Sequence, residues 1–389
     1  MDFLQKVRDL RKRSKKLYIY GAGIYGQNLY KVMLRENIIT DGFIVSKQAD
    51  QSMIKGMRVF EVDKVLESHD GIIIGANRHN TKDIHEYLQK RGINENRIVE
   101  GYRYLDNDAV RGGYDEIPTM EITTTMGCNI QCKYCPQNTL LNRYYLMNPK
   151  RVGMLRVDDF SKYLNKLPEN CVIIFSGMAE PFLNDNCIKM IRMAHEQGHL
   201  VDVYTTLVGV SDDDINELCE LSINFMGIHV ADKMGYSKID TTENYYSTLK
   251  DAINRKKSNG RPLVNVCNSQ TDPDERVAEI CKGKYEILTT MLDRAGNLEY
   301  EELYKRKNTY GDLSCSICGD KLNHNVLLPD GTVLLCCMDY GMKHVLGNLN
   351  DNSYEEIMNG KEHNRIKKGM LGDVNEDIIC RKCSCANVV

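Results

Sequence analysis

Three cysteines stand close together at Cys128, Cys132 and Cys135, in a C-x3-C-x2-C arrangement. Three thiolates at this spacing can bind three corners of one four-iron cube and leave the fourth iron open to a substrate or cofactor. A zinc site would need a fourth ligand close by, and the next cysteine is the distant Cys171. A disulfide would need an oxidising compartment, which nothing in the sequence indicates. The spacing therefore favours an iron–sulfur cluster with an open metal position.

The surroundings of these cysteines match a known signature. A predicted strand at 120–125 precedes them, and the aromatic Tyr134 stands directly before Cys135. This stretch resembles the radical SAM superfamily, whose signature is C-x3-C-x-aromatic-C. The resemblance implies that Cys128, Cys132 and Cys135 hold a 4Fe–4S cluster and that Tyr134 lies at the cofactor site. It also implies that the open iron binds S-adenosylmethionine, which one electron cleaves to methionine and a hydrogen-abstracting 5′-deoxyadenosyl radical.

A second motif follows the predicted strand at 171–176. It contains Gly177 and Glu180 and resembles the GGEP motif of the family, which meets the amino group of S-adenosylmethionine. This sequence departs from that motif, with Ser176 at the first glycine and two residues between Gly177 and Glu180. Glycine permits close approach of the backbone, and a carboxylate can accept from an ammonium group. The alternative interpretation is an ordinary turn after a strand.

Other polar residues stand at the ends of later predicted strands. Thr205 and Thr206 occupy the place where family members have polar residues near the sugar of the cofactor. His229 and Asp232 follow the next strand and are candidates for residues that face the substrate. A histidine in such a strand can equally be a structural hydrogen-bonding group.

A single arginine ends the last predicted strand of this region. Arg294 stands beside a flexible Gly296, and its guanidinium group suits a carboxylate or phosphate. We therefore count it as a candidate catalytic residue. The alternative is an ion pair with Asp293 or Glu180.

The C-terminal region has its own cysteine pattern, which comprises Cys315, Cys318, Cys336, Cys380 and Cys383. Pro329–Gly331 predicts a hairpin between two apolar runs. The pattern is similar to the SPASM/Twitch domain, which adds auxiliary 4Fe–4S clusters to radical SAM barrels. The resemblance implies one auxiliary cluster with four ligands, namely Cys318 (or Cys315), Cys336, Cys380 and Cys383. A structural zinc site with the same ligands is the alternative.

Alternating strands and helices must position these motifs. The predicted strands lie at 120–125, 171–176, 200–205, 225–230, 263–267 and 286–292. Helical patterns separate them, so this region predicts a partial (β/α)6 barrel with its chemistry at the C-terminal ends of the strands. We expect the barrel at 119–300 and a small cysteine-rich SPASM/Twitch-like domain at 301–389.

The N-terminal region, 1–104, has a different pattern. A predicted strand at 17–20 leads into a G-x-G-x-x-G turn and a helix, and the glycines of the turn are Gly21, Gly23 and Gly26. Such a turn can bind a phosphate at the helix N-terminus. The next strand ends without an acidic residue for a ribose, which weakens a nicotinamide interpretation. The region resembles small Rossmann-like domains that precede sugar-modifying transferases. A docking domain without a nucleotide is the alternative, and residues 105–118 are predicted to be a linker.

The composition sets limits on the function. The net charge of −3 gives no general attraction to nucleic acid, and no apolar run is long enough to span a membrane. The N-terminus lacks the apolar core of a signal peptide, so we expect a cytoplasmic α/β protein. The resemblance implies a radical SAM enzyme, with a flavodoxin- or ferredoxin-type reductant, that oxidises or epimerises a sugar, nucleotide-sugar or related small molecule. The alternatives are a peptide-modifying maturase and a non-catalytic iron–sulfur electron-transfer or scaffold protein.

Overall fold

A computed structural model describes residues 3–46, 53–54, 56–76, 78–101, 117–150, 152–169, 171–288, 292–298, 309–319, 321–373 and 376–388. The chain divides into two compact units, Met1–Gly113 and Tyr114–Val389. Most of the predicted linker at 105–118 lies outside the described residues. Within the described ranges, no helix has the length and apolar character needed to cross a membrane.

The first unit contains a sheet with helices. Its strands are β1 Leu17–Tyr20, β2 Gly42–Val45, β3 Met53–Ile54, β4 Met57–Glu61, β5 Gly71–Ile74 and β6 Ile98–Glu100, and its α-helices are α1 Phe3–Lys12, α2 Ile24–Arg35, α3 Val62–Val65 and α4 Arg78–Lys90. The strand order is β3-β4-β2-β1-β5-β6, and all neighbours are parallel except β3 and β4. Every residue of β1 and β5 is buried, as expected for central strands of a parallel sheet covered on both faces.

The glycine turn between β1 and α2 serves close packing. Gly21 has a positive φ of 108°, and a Cβ atom there would lie 2.5 Å from the carbonyl oxygen of Gly75. A Cβ atom at Gly26 would collide with the carbonyl oxygen of Gly21, whereas at Gly23 it would meet no atom within 4 Å. Two of the three glycines are therefore explained by packing alone. Nucleotide binding at this turn stays a prediction.

The second unit is built on a larger sheet. Its strands are β7 Thr119–Ile122, β8 Val172–Phe175, β9 Leu200–Thr205, β10 Phe225–His229, β11 Val266–Ser269, β12 Glu286–Ile287, β13 Leu313–Cys315, β14 His324–Leu327, β15 Thr332–Leu334, β16 Val345–Asn348 and β17 Ala386–Val388. Its α-helices are α5 Gln137–Met147, α6 Val157–Leu164, α7 Cys187–Glu196, α8 Asp212–Leu221, α9 Glu243–Asn254, α10 Glu275–Ile280, α11 Tyr354–Met358 and α12 Lys361–Met370. Strands β7 to β12 lie side by side in sequence order and are parallel, which confirms the predicted partial barrel.

The C-terminal strands continue this sheet. Strand β14 pairs in parallel with β7, and β15 and β16 follow it in antiparallel order. The hairpin predicted at Pro329–Gly331 is confirmed, because it joins β14 to β15. The boundary predicted between 300 and 301 stays a prediction, and the sheet itself runs from the barrel strands into the C-terminal strands.

One strand differs from its prediction. The fifth barrel strand begins at Val266, three residues beyond Leu263, where the sequence places it. Leu263 N–H donates to the Arg255 carbonyl (3.0 Å), in the segment that leaves α9, so pairing with β10 starts only afterwards. The sixth strand is described only at Glu286–Ile287, and residues 289–291 of its prediction lie outside the described residues.

Candidate functional site

The three-cysteine loop leaves the C-terminal end of β7 and is held by backbone contacts. Met126 N–H donates to the Gly153 carbonyl at 2.8 Å, and Lys238 N–H donates to the Ile130 carbonyl at 3.0 Å. Lys133 N–H donates to the Tyr236 carbonyl at 2.6 Å. The loop is therefore clamped from two sides at the strand ends, where a parallel barrel places its chemistry.

The thiols of this loop are partly buried. Burial raises the pKa of Cys132 to about 12. Burial also raises the pKa of Cys128, while backbone N–H groups of Glu180, Ile130 and Gln131 act in the opposite direction. A buried thiolate requires such donors or a cation, and iron supplies the cation when a cluster binds. The thiol groups and the N–H donors around them therefore fit a cluster.

Tyr134 and His229, which the sequence places at the cofactor and the substrate, touch each other. The Tyr134 hydroxyl donates to His229 Nε2, and His229 Nδ1 lies 2.6 Å from Asn268 Oδ1. Burial lowers the pKa of His229. A neutral ring with its proton on Nδ1 therefore donates to Asn268 and accepts from Tyr134. These contacts favour a positioning role for His229, and its catalytic role stays a prediction.

Asp232 organises the segment that clamps the cysteine loop. Its carboxylate accepts from Tyr236 N–H (3.0 Å), from Ser237 N–H (2.9 Å) and from the hydroxyls of Ser237 and Thr271 (both 3.0 Å). Burial acts to raise the pKa of Asp232, but the N–H groups of Tyr236 and Ser237 hold it below its ordinary value. Both oxygens thus accept within the protein and fix the clamping segment, and the contact of Asp232 with substrate stays a prediction.

Glu180 joins two predicted motifs into one group. Its carboxylate accepts from the Thr205 hydroxyl (2.6 Å) and from the backbone N–H and hydroxyl of Thr206 (both 2.7 Å). It also accepts from Phe182 N–H at 3.2 Å. Burial raises the pKa of Glu180, and the donors from Thr205 and Thr206 oppose that shift. The ends of β8 and β9 therefore bring together three residues predicted to bind the cofactor.

Gly177 is required by the packing of the turn after β8. It has a positive φ of 52°, and a Cβ atom there would lie 2.5 Å from Thr123 Oγ1 and 2.6 Å from the Ile122 carbonyl oxygen. The following residue, Met178, donates its N–H to Thr123 Oγ1 at 3.1 Å. Glycine therefore lets this turn lie against the end of β7, beside the cysteine loop.

Arg294 lies in a strained turn. Arg294 and Ala295 both have left-handed φ angles, 50° and 55°, which non-glycine residues rarely adopt. Asn297 fixes the turn, because its side-chain amide donates to the carbonyls of Arg294 (2.6 Å) and Met338 (3.1 Å). The guanidinium group lies 6.0 Å from the Tyr340 ring centroid, so the turn holds a cation beside this ring.

A second group of thiols surrounds a cavity in the C-terminal part of the unit. The cysteines that line it are Cys315, Cys318, Cys336, Cys337, Cys380, Cys383 and Cys385. The remaining lining residues are apolar. Cys318 N–H donates to Cys315 Sγ (3.3 Å), and Cys385 N–H donates to Cys383 Sγ (3.4 Å). A cavity of thiols with N–H donors and without carboxylates fits an iron–sulfur cluster.

The comparison with family models favours iron–sulfur clusters over zinc. The model of the radical SAM superfamily matches residues 122–282, and that of SPASM, an iron–sulfur cluster-binding domain, matches residues 318–384. The chain carries a radical SAM domain and a SPASM domain. These domains imply a 4Fe–4S cluster, S-adenosylmethionine and auxiliary iron–sulfur binding. Among the described residues, no three His, Cys, Asp or Glu side chains meet at the short distances that bind one metal ion directly.

The other comparisons concern the N-terminal region, one bacterial relative and two solved structures. A C2185-like N-terminal domain model matches residues 13–99, and the Rossmann-like description of this region stays a prediction. Putative protein YfkA of Bacillus subtilis (strain 168) is 28% identical over 109 residues, which span only 27% of each chain. BtrN in complex with AdoMet and 2-DOIA is 17% identical with a TM-score of 0.46, over 70% of this chain and 94% of BtrN. Streptococcus suis SuiB bound to precursor peptide SuiA is 12% identical with a TM-score of 0.38, over 79% of this chain and 82% of SuiB.

The radical SAM barrel also contains a polar group that the sequence reasoning missed. Glu121, in the middle of β7, accepts from the Ser176 hydroxyl (3.0 Å) and lies 2.7 Å from His324 Nε2 of β14. Burial acts to raise the pKa of Glu121, but His324 and Ser176 hold it below its ordinary value. A charged residue inside an otherwise buried strand is the signal that identifies such a position.

Glu180→Ala is expected to weaken S-adenosylmethionine binding. Loss of one hydrogen bond to a charged group costs roughly 1.5–3 kcal/mol, or about 10- to 100-fold in the dissociation constant. Equilibrium binding to iron-loaded protein measures this, with iron content and thermal unfolding as controls because Glu180 also holds Thr205 and Thr206. Thr206→Val removes one of the hydrogen bonds to Glu180 and retains the carboxylate, so its effect on binding should be the smaller of the two. An unchanged dissociation constant in folded, loaded Glu180→Ala would show that this turn is only structural.

Proposed function

We propose that this radical SAM enzyme oxidises a carbinol carbon of a sugar, nucleotide-sugar or related small molecule. The observation that carries the proposal is the second thiol-lined cavity, at Cys315–Cys385, in addition to the three-cysteine loop. When bound, the catalytic cluster and S-adenosylmethionine would supply the removal of one hydrogen atom from a C–H bond. The auxiliary cluster would supply an acceptor for the remaining electron. Conversion of CH–OH to C=O also releases the hydroxyl proton, so a second redox site suits a net two-electron oxidation.

The residues of the barrel have distinct parts in this proposal. Cys128, Cys132 and Cys135 would hold the catalytic cluster, and Glu180 would meet the amino group of S-adenosylmethionine. Arg294, whose cation lies 6.0 Å from the Tyr340 ring centroid, would bind an anionic or electron-rich group. The G-x-G-x-x-G pattern of the first unit is the reason that the proposal includes nucleotide-linked substrates. We propose a flavodoxin- or ferredoxin-type protein as reductant.

Substrate oxidation is tested with a panel of sugars, nucleotide-sugars and peptides under anaerobic reducing conditions. We expect a sugar-type compound to stimulate 5′-deoxyadenosine formation and to yield a product two hydrogen atoms lighter by mass spectrometry. Deuterium at the reacting carbinol carbon should appear in 5′-deoxyadenosine, because that carbon loses the abstracted atom. Stimulation by peptides alone would replace the proposal with a peptide-modifying activity. A product of unchanged mass and inverted configuration would replace oxidation with epimerisation.

A further inference from the structure

The turn that follows β15 connects the two thiol sites. Cys336 in this turn lines the auxiliary cavity, while Tyr340, four residues later, reaches the other site. The Tyr340 hydroxyl lies 3.7 Å from Cys135 Sγ, within hydrogen-bonding distance for sulfur. A tyrosine of the SPASM domain therefore touches a cysteine of the radical SAM loop, although the two are 205 positions apart in sequence.

The turn holds the phenol in a fixed position. Asp339, which is fully buried, accepts from Lys343 N–H and His344 N–H at 2.8 Å each. Its own N–H donates to the Cys336 carbonyl at 3.1 Å. The Tyr340 ring is buried in an apolar cluster with Met126, Met178 and Leu334. These contacts leave the ring little freedom, so the distance from its hydroxyl to Cys135 is set by the fold.

The direction of this hydrogen bond follows from the chemistry of iron ligation. A cysteine that binds iron is a thiolate, so Cys135 Sγ can then only accept and the Tyr340 hydroxyl must donate. Within the part of the chain that the structure describes, the Tyr340 hydroxyl is paired with Cys135 Sγ. Hydrogen bonds to cluster sulfurs help to set the reduction potential, because they stabilise the more negative reduced state. The cation of Arg294, 6.0 Å from the Tyr340 ring centroid, also stabilises the more negative reduced state.

We propose that Tyr340 is a positioning and tuning residue that raises the reduction potential of the catalytic cluster through its hydrogen bond to Cys135. The SPASM domain then contributes a hydroxyl donor to one cysteine of the catalytic cluster. The inference rests on the proposed role of Cys135 as a cluster ligand. It adds a specific dependence of the catalytic cluster on one hydroxyl group of the C-terminal region.

Tyr340→Phe tests the inference because it removes the hydroxyl and keeps the ring. We expect its catalytic cluster to be harder to reduce, by about tenfold in the reduction equilibrium, which is 59 mV for a one-electron couple. A redox titration followed by electron paramagnetic resonance measures this. The catalytic signal is recognised by its change on addition of S-adenosylmethionine, and absence of any such change would refute the proposed function rather than this inference. The potential of the auxiliary cluster should be unaltered.

Tyr163→Phe is the matched control, because the Tyr163 hydroxyl donates to Asn350 Oδ1 (3.3 Å) and touches neither thiol site. An unchanged catalytic potential in Tyr340→Phe, or an equal shift of both clusters, would overturn the inference. If Tyr340→Phe loads iron poorly, Tyr340→His and Tyr340→Leu are compared instead. Histidine retains a donor, so its potential should lie nearer to that of the wild-type protein, and identical potentials for the two variants would contradict the role of the hydrogen bond.

Discussion

Cys132→Ala is expected to abolish reductive cleavage of S-adenosylmethionine. An open-site cube needs three thiolates, and Cys132 is the middle ligand of a loop that offers Cys128 and Cys135 as the other two. The loop is fixed by the contacts of Lys133 with Tyr236 and of Ile130 with Lys238, so the backbone should keep its shape when one thiol is removed. We therefore expect 5′-deoxyadenosine formation by the reduced protein to fall to background while the fold survives. Chromatographic measurement of 5′-deoxyadenosine after anaerobic reconstitution tests this.

Cys219→Ala is the matched control for this experiment. Cys219 is a buried cysteine of α8, belongs to neither thiol site and has the same small side chain. The control variant should retain cleavage and iron content, and both variants should unfold at temperatures close to that of the wild-type protein. Wild-type formation of 5′-deoxyadenosine by Cys132→Ala would reject the assignment of the catalytic cluster.

The sequence predicts best where function is encoded locally. The cysteine loop is such a case, because its spacing within eight residues and its place after a strand are both readable from the chain. Parallel strands also bring their C-terminal ends to one edge of the sheet, so Glu180 of one strand end and Thr205 and Thr206 of the next were separate predictions that the fold unites. Their mutual hydrogen bonds follow from the adjacency of β8 and β9.

Contacts between distant segments are not readable in this way. No local pattern indicates that β14 pairs with β7, and that pairing brings His324 to Glu121 and leads the turn after β15, with Tyr340, to Cys135. The residue type alone does not identify a role either. Asp232 has the chemistry of a catalytic group, but the backbone of its own loop supplies its hydrogen-bond donors. Which partner a polar side chain finds depends on tertiary packing that periodicity and spacing do not encode.

The second large effect is expected at the auxiliary site, where the first measurement is the iron content of the protein. A variant with Cys128, Cys132 and Cys135 all replaced by alanine should still bind about four irons per chain, as one cube requires. The cavity between Cys315 and Cys385 is separate from the cysteine loop and retains all of its thiols in this variant. With four thiolate ligands the cluster has no open iron, so its reduced electron paramagnetic resonance signal should not respond to S-adenosylmethionine. Zinc in place of iron would identify the site as structural.

The second part of the test concerns electron acceptance. Cys383→Ala should remove one of the four predicted ligands, so the protein should still form 5′-deoxyadenosine but lose the oxidised product. Cys385→Ala is the matched variant, because Cys385 lines the same cavity and contributes a backbone N–H to Cys383 Sγ that the substitution retains. It should keep both iron and product if Cys318 (or Cys315), Cys336, Cys380 and Cys383 are the ligands. Oxidised product from Cys383→Ala at the wild-type yield would refute the acceptor role. If the site holds zinc instead of iron, a redox-neutral reaction such as epimerisation would explain the barrel chemistry better, because the substrate radical then regains a hydrogen atom and leaves no electron to be accepted.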